Sequence, residues 1–81
     1  MSRENVDFES LRNRIKEVRK ELQLSQEYFA KGIGLRRQDI HAIETGKRQP
    51  GLTVIYRIAI QYEISLDWLI LGIGDMHYNK I

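Results

Sequence analysis

The fold is decided by residues 25–46, which read S-Q-E-Y-F-A-K-G-I-G-L-R-R-Q-D-I-H-A-I-E-T-G. Ser25 is a helix-capping residue, and an acidic residue follows in the first turn, where the helix dipole favours it. The pattern predicts a short helix over residues 26–33, ended by Gly34, which can adopt the positive φ that such an end requires. A second short helix is predicted over residues 36–45. We therefore expect two short helices joined tightly through one glycine.

Helical periodicity continues on both sides of this pair. Apolar residues three and four positions apart predict a first helix, capped by Asp7, and a fourth helix. The fourth helix follows a polar loop at residues 47–51 that is expected to be exposed. Ser65 can cap a fifth helix that runs to about Leu71 and carries the apolar residues Leu66, Leu69 and Ile70. The apolar stripes are Phe8, Leu11, Ile15, Val18 and Leu22 in the first helix, and Leu52, Ile55, Ile58, Ala59 and Tyr62 in the fourth. No window alternates with period two, so an all-α fold is predicted.

Length and composition limit what the chain can be. Its 81 residues fit one domain, and we expect a single unit over residues 1–81, with a core at about 8–72 and a tail at 73–81. The chain has no cysteine and only two, distant histidines, so disulfides, a structural zinc site and other cofactors are not expected. No segment approaches the roughly 18 apolar residues of a membrane span, and the first residues lack the apolar run of a secretory signal. A cytoplasmic protein without membrane contact is expected.

Positive charge is concentrated in the middle third of the chain. The whole sequence has 13 basic and 11 acidic residues, but residues 31–57 carry six basic residues against only Asp39 and Glu44. A surface that faces phosphates requires such a local excess. A solvated face with clustering by chance would give the same count, and charge alone does not choose between the two.

The second helix of the central pair is expected to have one apolar and one polar side. Leu35 and Ile40 should fix the apolar side to the core. The outer side presents Arg37, Gln38, His41 and Ala42, with Arg36 at its edge. Such a helix fits the major groove of DNA, where arginine can make two hydrogen bonds to guanine and glutamine two to adenine. Taken singly these are ordinary surface residues, and His41 is as often solvated as base-reading. Together they favour a helix-turn-helix at residues 26–44.

At this point the sequence resembles the phage Cro and repressor type of helix-turn-helix, also called the XRE family. The resemblance covers roughly residues 11–72 and is carried most clearly by S-Q at 25–26 and by I-E-x-G-K-R-x-P at 43–50. It implies a compact five-helix, lambda-repressor-like DNA-binding domain. It also implies a transcriptional regulator, expected to be a repressor, that binds specific sequences of double-stranded DNA.

The resemblance also implies roles for individual residues. The base-reading residues would be Arg37, Gln38, His41 and Ala42, and the phosphate-binding residues would be Gln26, Arg36, Lys47 and Arg48. Arg19 and Glu44 match a partly buried ion pair that the family often uses between the first and third helices. That pair would be structural.

Two positions depart from the family pattern. Most members have Ser or Thr where this chain has Arg36, and arginine cannot cap a helix with its side chain. Either the third helix starts less firmly, or Arg36 trades capping for a phosphate contact. Asp39 adds a negative charge to the reading helix. It could accept from a cytosine amino group, but we favour a role in orienting Arg36 or Arg37.

One small module makes few base contacts, so specificity is expected from a homodimer that reads two half-sites of a palindromic operator about one helical turn apart. The fifth helix and the tail should form the interface, through Trp68, Leu71, Ile73, Met76, Tyr78 and Ile81. Alternatively, Trp68 and Leu71 complete the core. The tail either frays or forms an extended segment that packs on a partner.

A rival function belongs to another class of protein. The same fold could serve as a protein-interaction module, such as an antitoxin that binds a partner protein. Binding to random duplex DNA that falls steeply with salt would favour the DNA-binding interpretation. Catalysis is not expected, because the sequence contains no Gly-rich phosphate loop and suggests no Ser/His/Asp set.

Overall fold

The computed structural model describes residues 6–78, which form five helices around one core. They are α1 (Phe8–Glu21), α2 (Gln26–Gly32), α3 (Arg37–Glu44), α4 (Leu52–Tyr62) and α5 (Asp67–Leu71), the last in the wider π-helical form. Within residues 6–78 there is no strand beyond one antiparallel bridge between Ile64 and His77. The predicted all-α, five-helix fold is confirmed.

Two helices begin at the predicted capping residues. The Asp7 carboxylate accepts from the backbone N–H of Ser10 at 3.0 Å and from its hydroxyl at 2.8 Å. These hydrogen bonds lower the pKa of Asp7, since they favour its charged form. Ser25 Oγ accepts from the backbone N–H of Tyr28 at 3.1 Å. Each cap satisfies a backbone donor that has no partner inside the helix.

The turn between α2 and α3 depends on Gly34, whose φ is +74°. The backbone N–H groups of Gly34 and Leu35 donate to the carbonyls of Lys31 and Ala30, at 3.3 and 2.9 Å. The chain therefore leaves α2 in the left-handed conformation, which glycine adopts without a steric penalty. Ala30 is buried at this junction. The predicted turn residue is confirmed.

The core is built from the apolar side of every helix. Its fully buried side chains include Leu11, Ile15, Val18, Phe29, Ile40, Ile43, Ile58, Ile64 and Leu69. The ring of Tyr62 stacks on that of Phe29, with centroids 4.9 Å apart, and its hydroxyl donates to the Phe29 carbonyl at 3.0 Å. Gly32 makes this approach possible, because a Cβ there would collide with the Tyr62 hydroxyl. Burial raises the pKa of Tyr62.

Three expectations about the outer helices were wrong in detail. Pro50 is buried, although the loop around it was predicted to be exposed. Leu52 is 78% exposed at the start of α4, and Val54 takes the buried position instead. Leu66, just before the short fifth helix, and Ile70, within it, are both exposed. For Leu52, Leu66 and Ile70 the apolar pattern continues past the point where neighbouring helices supply a surface to pack on.

The fifth helix and the tail are fixed by the rest of the chain. Ser65 Oγ accepts from the backbone N–H of Trp68 at 3.4 Å, and Arg14 of α1 donates to the carbonyls of Leu69 and Ile70 at 2.7 and 2.8 Å. The backbone N–H of Ser65 donates to the Met76 carbonyl at 2.8 Å. The tail up to residue 78 thus pairs with its own chain at a single bridge between Ile64 and His77.

None of the helices between residues 6 and 78 is long and apolar enough to cross a membrane. Ile81, which was expected in the dimer interface, lies outside the described residues.

Candidate nucleic-acid interface

Helix α3 turns two different sides to core and solvent. Ile40 and Ile43 are fully buried, whereas Arg37, Gln38 and His41 are exposed, with Ala42 half-buried beside them. This alternation follows from 3.6 residues per turn, which puts residues 40 and 43 on one face and residues 37, 38 and 41 on the other. The structure therefore presents the four predicted base-reading residues on or next to one outward face.

The first turn of α3 is capped by Asp39 rather than by Arg36. Arg36 occupies the N-cap position with an extended backbone, and its backbone N–H donates to Asp39 Oδ2 at 3.0 Å. This is one half of a capping box, the half that an acidic residue at the third helical position can supply. The guanidinium of Arg36 is exposed, with its Nε 3.9 Å from Asp39 Oδ2. Arg36 therefore leaves its cation facing outward.

Asp39 also bonds to Arg48, a pairing that the sequence did not indicate. Arg48 Nη1 donates to Asp39 Oδ1 at 3.0 Å. The sequence predicted Arg36 or Arg37 as the partner of Asp39. Arg36 does lie beside it, but the shorter side-chain contact is made by Arg48, nine positions along the chain.

The backbone after α3 explains this contact. Gly46 has φ +82°, its N–H donates to the Ile43 carbonyl, and the Lys47 N–H donates to the Ala42 carbonyl at 2.9 Å. These two bonds form a Schellman motif, which turns the chain back along the helix it has just left. Arg48 is thereby returned to the level of Asp39, while Lys47 remains exposed. Gly46 is present in the sequence, and a Schellman motif at this glycine is the signal from which the contact between Asp39 and Arg48 could have been predicted.

A buried carboxylate joins α1, α2 and α3. The side chain of Glu44 is 2% exposed and accepts two hydrogen bonds from Arg19, from Nε at 2.7 Å and from Nη2 at 3.0 Å. Gln26 Nε2 donates to the same carboxylate at 3.1 Å, and Arg19 Nη1 donates to the Leu24 carbonyl. The structure thus brings together Arg19 and Glu44 as the resemblance implied, and adds Gln26 to them.

The pKa values of the pair follow from this geometry. Burial raises the pKa of Glu44, but the hydrogen bonds from Arg19 and Gln26 and the guanidinium charge outweigh burial, so the pKa lies below its ordinary value. The bond to Glu44 raises the pKa of Arg19 against the opposing effect of burial. Both groups are therefore charged at neutral pH.

The hydrogen bond to Glu44 also fixes the orientation of the Gln26 side chain. Its side chain is half-buried at the first position of α2, and the amide uses one N–H group on Glu44. An amide nitrogen carries two hydrogens, so Gln26 retains a second donor in a fixed orientation. A buried ion pair thus positions a residue that was predicted to contact phosphate.

The five described residues among the six predicted for a dimer interface are not equally available. Trp68 and Met76 are half-buried and pack on the core, so the alternative that Trp68 completes the core agrees with its position. Leu71 and Ile73 are 64% and 61% exposed, and Tyr78 is also exposed. Leu71 does not complete the core. The exposed apolar part of this surface is therefore formed by Leu71, Ile73 and Tyr78.

Sequence reasoning missed one exposed apolar row on α4. Leu52, Tyr56 and Ile60 lie four residues apart and are all more than half exposed. Their spacing in the sequence predicts packing roles for Tyr28 and Tyr56, with a phosphate contact as the alternative for the Tyr28 hydroxyl, and both side chains are exposed. Among the side chains between residues 6 and 78, no group of three or more His, Asp or Glu residues could hold a metal ion.

Comparison with known proteins gives a consistent result. A helix-turn-helix family model matches residues 15–69. An uncharacterised HTH-type transcriptional regulator of Archaeoglobus fulgidus is 36% identical over 70 residues, which span 86% of this chain and all of that protein. Another, from Methanothermobacter thermautotrophicus, is 47% identical over 49 residues, 60% of this chain and 71% of its own length.

A solved structure extends the likeness to three dimensions. The restriction-modification controller protein C.AhdI from Aeromonas hydrophila superposes with a TM-score of 0.67 and 32% identity. The match covers 73% of this chain and 89% of that one.

Proposed function

Because the chain belongs to the XRE-type helix-turn-helix family of DNA-binding regulators, we propose that it reads specific duplex DNA through α3 as a homodimer and represses transcription. The relatives named as transcriptional regulators and the controller protein of similar structure support this proposal. The family consists of regulators rather than enzymes. The observation that carries the proposal is the row of Arg37, Gln38 and His41 on the exposed side of a short helix whose other side is buried.

Base reading follows from the chemistry of this row. Arg37 and Gln38 stand in the first turn of α3, the part of a recognition helix that reaches deepest into the major groove. Arginine can donate two hydrogen bonds to guanine, and glutamine can both donate to and accept from adenine. His41 and Ala42 follow one turn later, where a ring nitrogen can contact a base edge and a methyl group can contact thymine.

Phosphate binding follows from the side chains that flank α3. Gln26, Arg36, Lys47 and Arg48 lie at the start of α2 and at the two ends of α3. Gln26 offers an amide donor held in place by Glu44, and the other three offer exposed cations. Such contacts fix the position of the protein on the duplex without reading its sequence.

The homodimer is supported by exposed apolar side chains and by the size of the module. Leu71, Ile73 and Tyr78 expose apolar surface near the carboxyl end of the described chain. We place Trp68 and Met76 at the base of this interface, since both are only half-buried on the core. Residues 1–81 would act as one domain, and two copies would read a palindromic operator.

Measuring affinity for duplex DNA as a function of salt tests this function. Each phosphate contact contributes close to one unit to the slope of log affinity against log salt, about 0.9 for B-form DNA. We expect a steep negative slope on random duplex and tighter binding to a duplex obtained by in vitro selection. Absent or salt-independent binding would instead favour a protein-interaction module, such as an antitoxin.

Two variants then separate base reading from phosphate binding. Arg37→Ala should cost about 1–3 kcal/mol on the selected duplex and relax the sequence preference. Lys47→Ala, the matched loss of one cation, should weaken selected and random duplexes alike and reduce the salt slope by about 1. Unchanged discrimination in Arg37→Ala would show that α3 is not the reading helix.

Sedimentation equilibrium tests the oligomeric state. We expect a dimer at tens of micromolar protein, and a monomer at that concentration would contradict the homodimer.

A further inference from the structure

Asp39 places a carboxylate among the exposed cations Arg36, Arg37 and Arg48, and each of its two oxygens accepts a hydrogen bond from the protein. Oδ2 accepts from the Arg36 backbone N–H at 3.0 Å, and Oδ1 accepts from Arg48 Nη1 at 3.0 Å. The Asp39 side chain is only 22% exposed, compared with 47% for that of Arg48. A carboxylate that is largely covered and already holds one partner on each oxygen is less available to a cytosine amino group, the other role that its position allows.

Arg48 keeps most of its donors despite this contact. A guanidinium carries five N–H groups in a fixed planar fork, and the bond to Asp39 uses one of them. The Schellman end of α3 holds the backbone of Arg48, and Asp39 holds the tip of its side chain. The remaining N–H groups are therefore presented from a fixed position relative to α3.

We propose that Asp39 is a positioning residue that ties Arg48 to the recognition helix and thereby suppresses non-specific binding to DNA. The proposal rests on the proposed DNA-binding function. A tethered arginine can contact a phosphate only when α3 is docked in one register. An untethered arginine can reach phosphates in many registers, which is what non-specific binding requires.

The negative charge of Asp39 acts in the same direction. In a non-specific complex the affinity comes almost wholly from cations that displace counterions from phosphates. The pairing with Asp39 reduces the part that Arg48 can play there, whereas the complex with the selected duplex retains its base contacts. Asp39 thus lowers the affinity for random duplex. It thereby increases the ratio of the affinity for the selected duplex to the affinity for random duplex.

Asp39→Asn tests this idea, because the amide oxygen can still accept from the Arg36 N–H while the charge is lost. We expect random-duplex affinity to rise up to about fivefold for each bound protomer, the strength of an exposed ion pair. The salt slope on random duplex should steepen by up to about 0.9 per protomer as Arg48 is released. The affinity ratio should fall accordingly, and Asp39→Glu, which restores the carboxylate, should recover most of it.

A double-mutant cycle separates the tether from a general effect of charge. With Arg48→Ala in the background, Asp39→Asn should raise random-duplex affinity much less than it does when Arg48 is present. Glu17→Gln removes one carboxylate from the outer face of α1 and serves as the matched control. Equal gains with and without Arg48, or a gain in Glu17→Gln as large as in Asp39→Asn, would overturn the proposal.

The remaining outcomes are equally decisive. A changed base preference at one operator position in Asp39→Asn would make Asp39 a base reader and overturn the tether. If Asp39→Asn does not fold, Arg48→Ala alone should lower the affinity for the selected duplex more than the affinity for random duplex. Equal losses of affinity would refute the positioning role of Asp39. These results leave DNA binding itself intact. Failure of the unmodified protein to bind any duplex would overturn the proposed function and the tether together.

Discussion

Removing the buried carboxylate of Glu44 should destabilise the domain more than any change on its surface. The side chain of Glu44 is 2% exposed and receives two hydrogen bonds from Arg19 and one from Gln26. In Glu44→Ala the guanidinium of Arg19, itself only 14% exposed, would retain the Leu24 carbonyl as its remaining partner in this network. The variant therefore leaves a charge in the interior without a counter-charge.

The size of the effect follows from the burial of both partners. Breaking one half of a buried ion pair costs about 3–5 kcal/mol, because the remaining charge stays desolvated. A domain of 81 residues has a free energy of unfolding of about 4–12 kcal/mol. We therefore expect Glu44→Ala to remove at least a quarter of the stability, and at the lower end to unfold the protein.

Urea unfolding followed by circular dichroism measures this loss. Glu17→Ala, on the exposed side of α1, is the control and should change the free energy of unfolding by no more than about 0.5 kcal/mol. Glu44→Gln keeps the shape of the side chain and should remain measurable if Glu44→Ala does not fold. Joint replacement of Arg19 by Met and Glu44 by Leu should recover most of the stability, since no buried charge remains. A loss below about 1 kcal/mol in Glu44→Ala would refute the assigned role.

Three further outcomes are expected. The pKa of Glu44 is lower in the folded than in the unfolded state, so the free energy of unfolding should fall as the pH drops below about 4.3. Measured as a function of pH, this fall should be less steep in Glu44→Gln. Gly32→Ala should lower the melting temperature despite a helix-propensity gain of about 1 kcal/mol, because the added Cβ meets the Tyr62 hydroxyl. Adding Tyr62→Phe should relieve part of this loss. A melting temperature higher in Gly32→Ala than in the unmodified protein would contradict the prediction. Leu71→Asp should shift a dimer towards monomer in sedimentation without lowering the melting temperature of the monomer, and an unchanged dimer would move the interface elsewhere.

Features governed by near neighbours along the chain were predictable from the sequence. Asp7 and Ser25 cap helices, and Gly34 ends α2, because each bond involves residues within a few positions of one another. The exposed row of α3 was predictable for the same reason, since helical periodicity alone divides residues 37–44 into two sides.

Features that depend on contacts between distant residues were not predictable in this way. The pairing of Asp39 with Arg48 depends on how the Schellman end returns the chain along α3. The exposure of Leu52 depends on where the neighbouring helices end, because an apolar residue is buried only where another element covers it. The joining of Gln26 to the Arg19 and Glu44 pair required three helices to be in place.

The sequence by itself determined five helices, the caps of α1 and α2 and the polar side of α3, because backbone hydrogen bonds and side-chain periodicity act over one or two turns. Tertiary structure alone decided which charges are buried with a partner and which face solvent. Glu44 lies at the meeting point of α1, α2 and α3, whereas Asp39 lies at the rim, and both are acids in the same eight-residue helix. The difference between a structural carboxylate and one placed among exposed cations is therefore set by the packing around them.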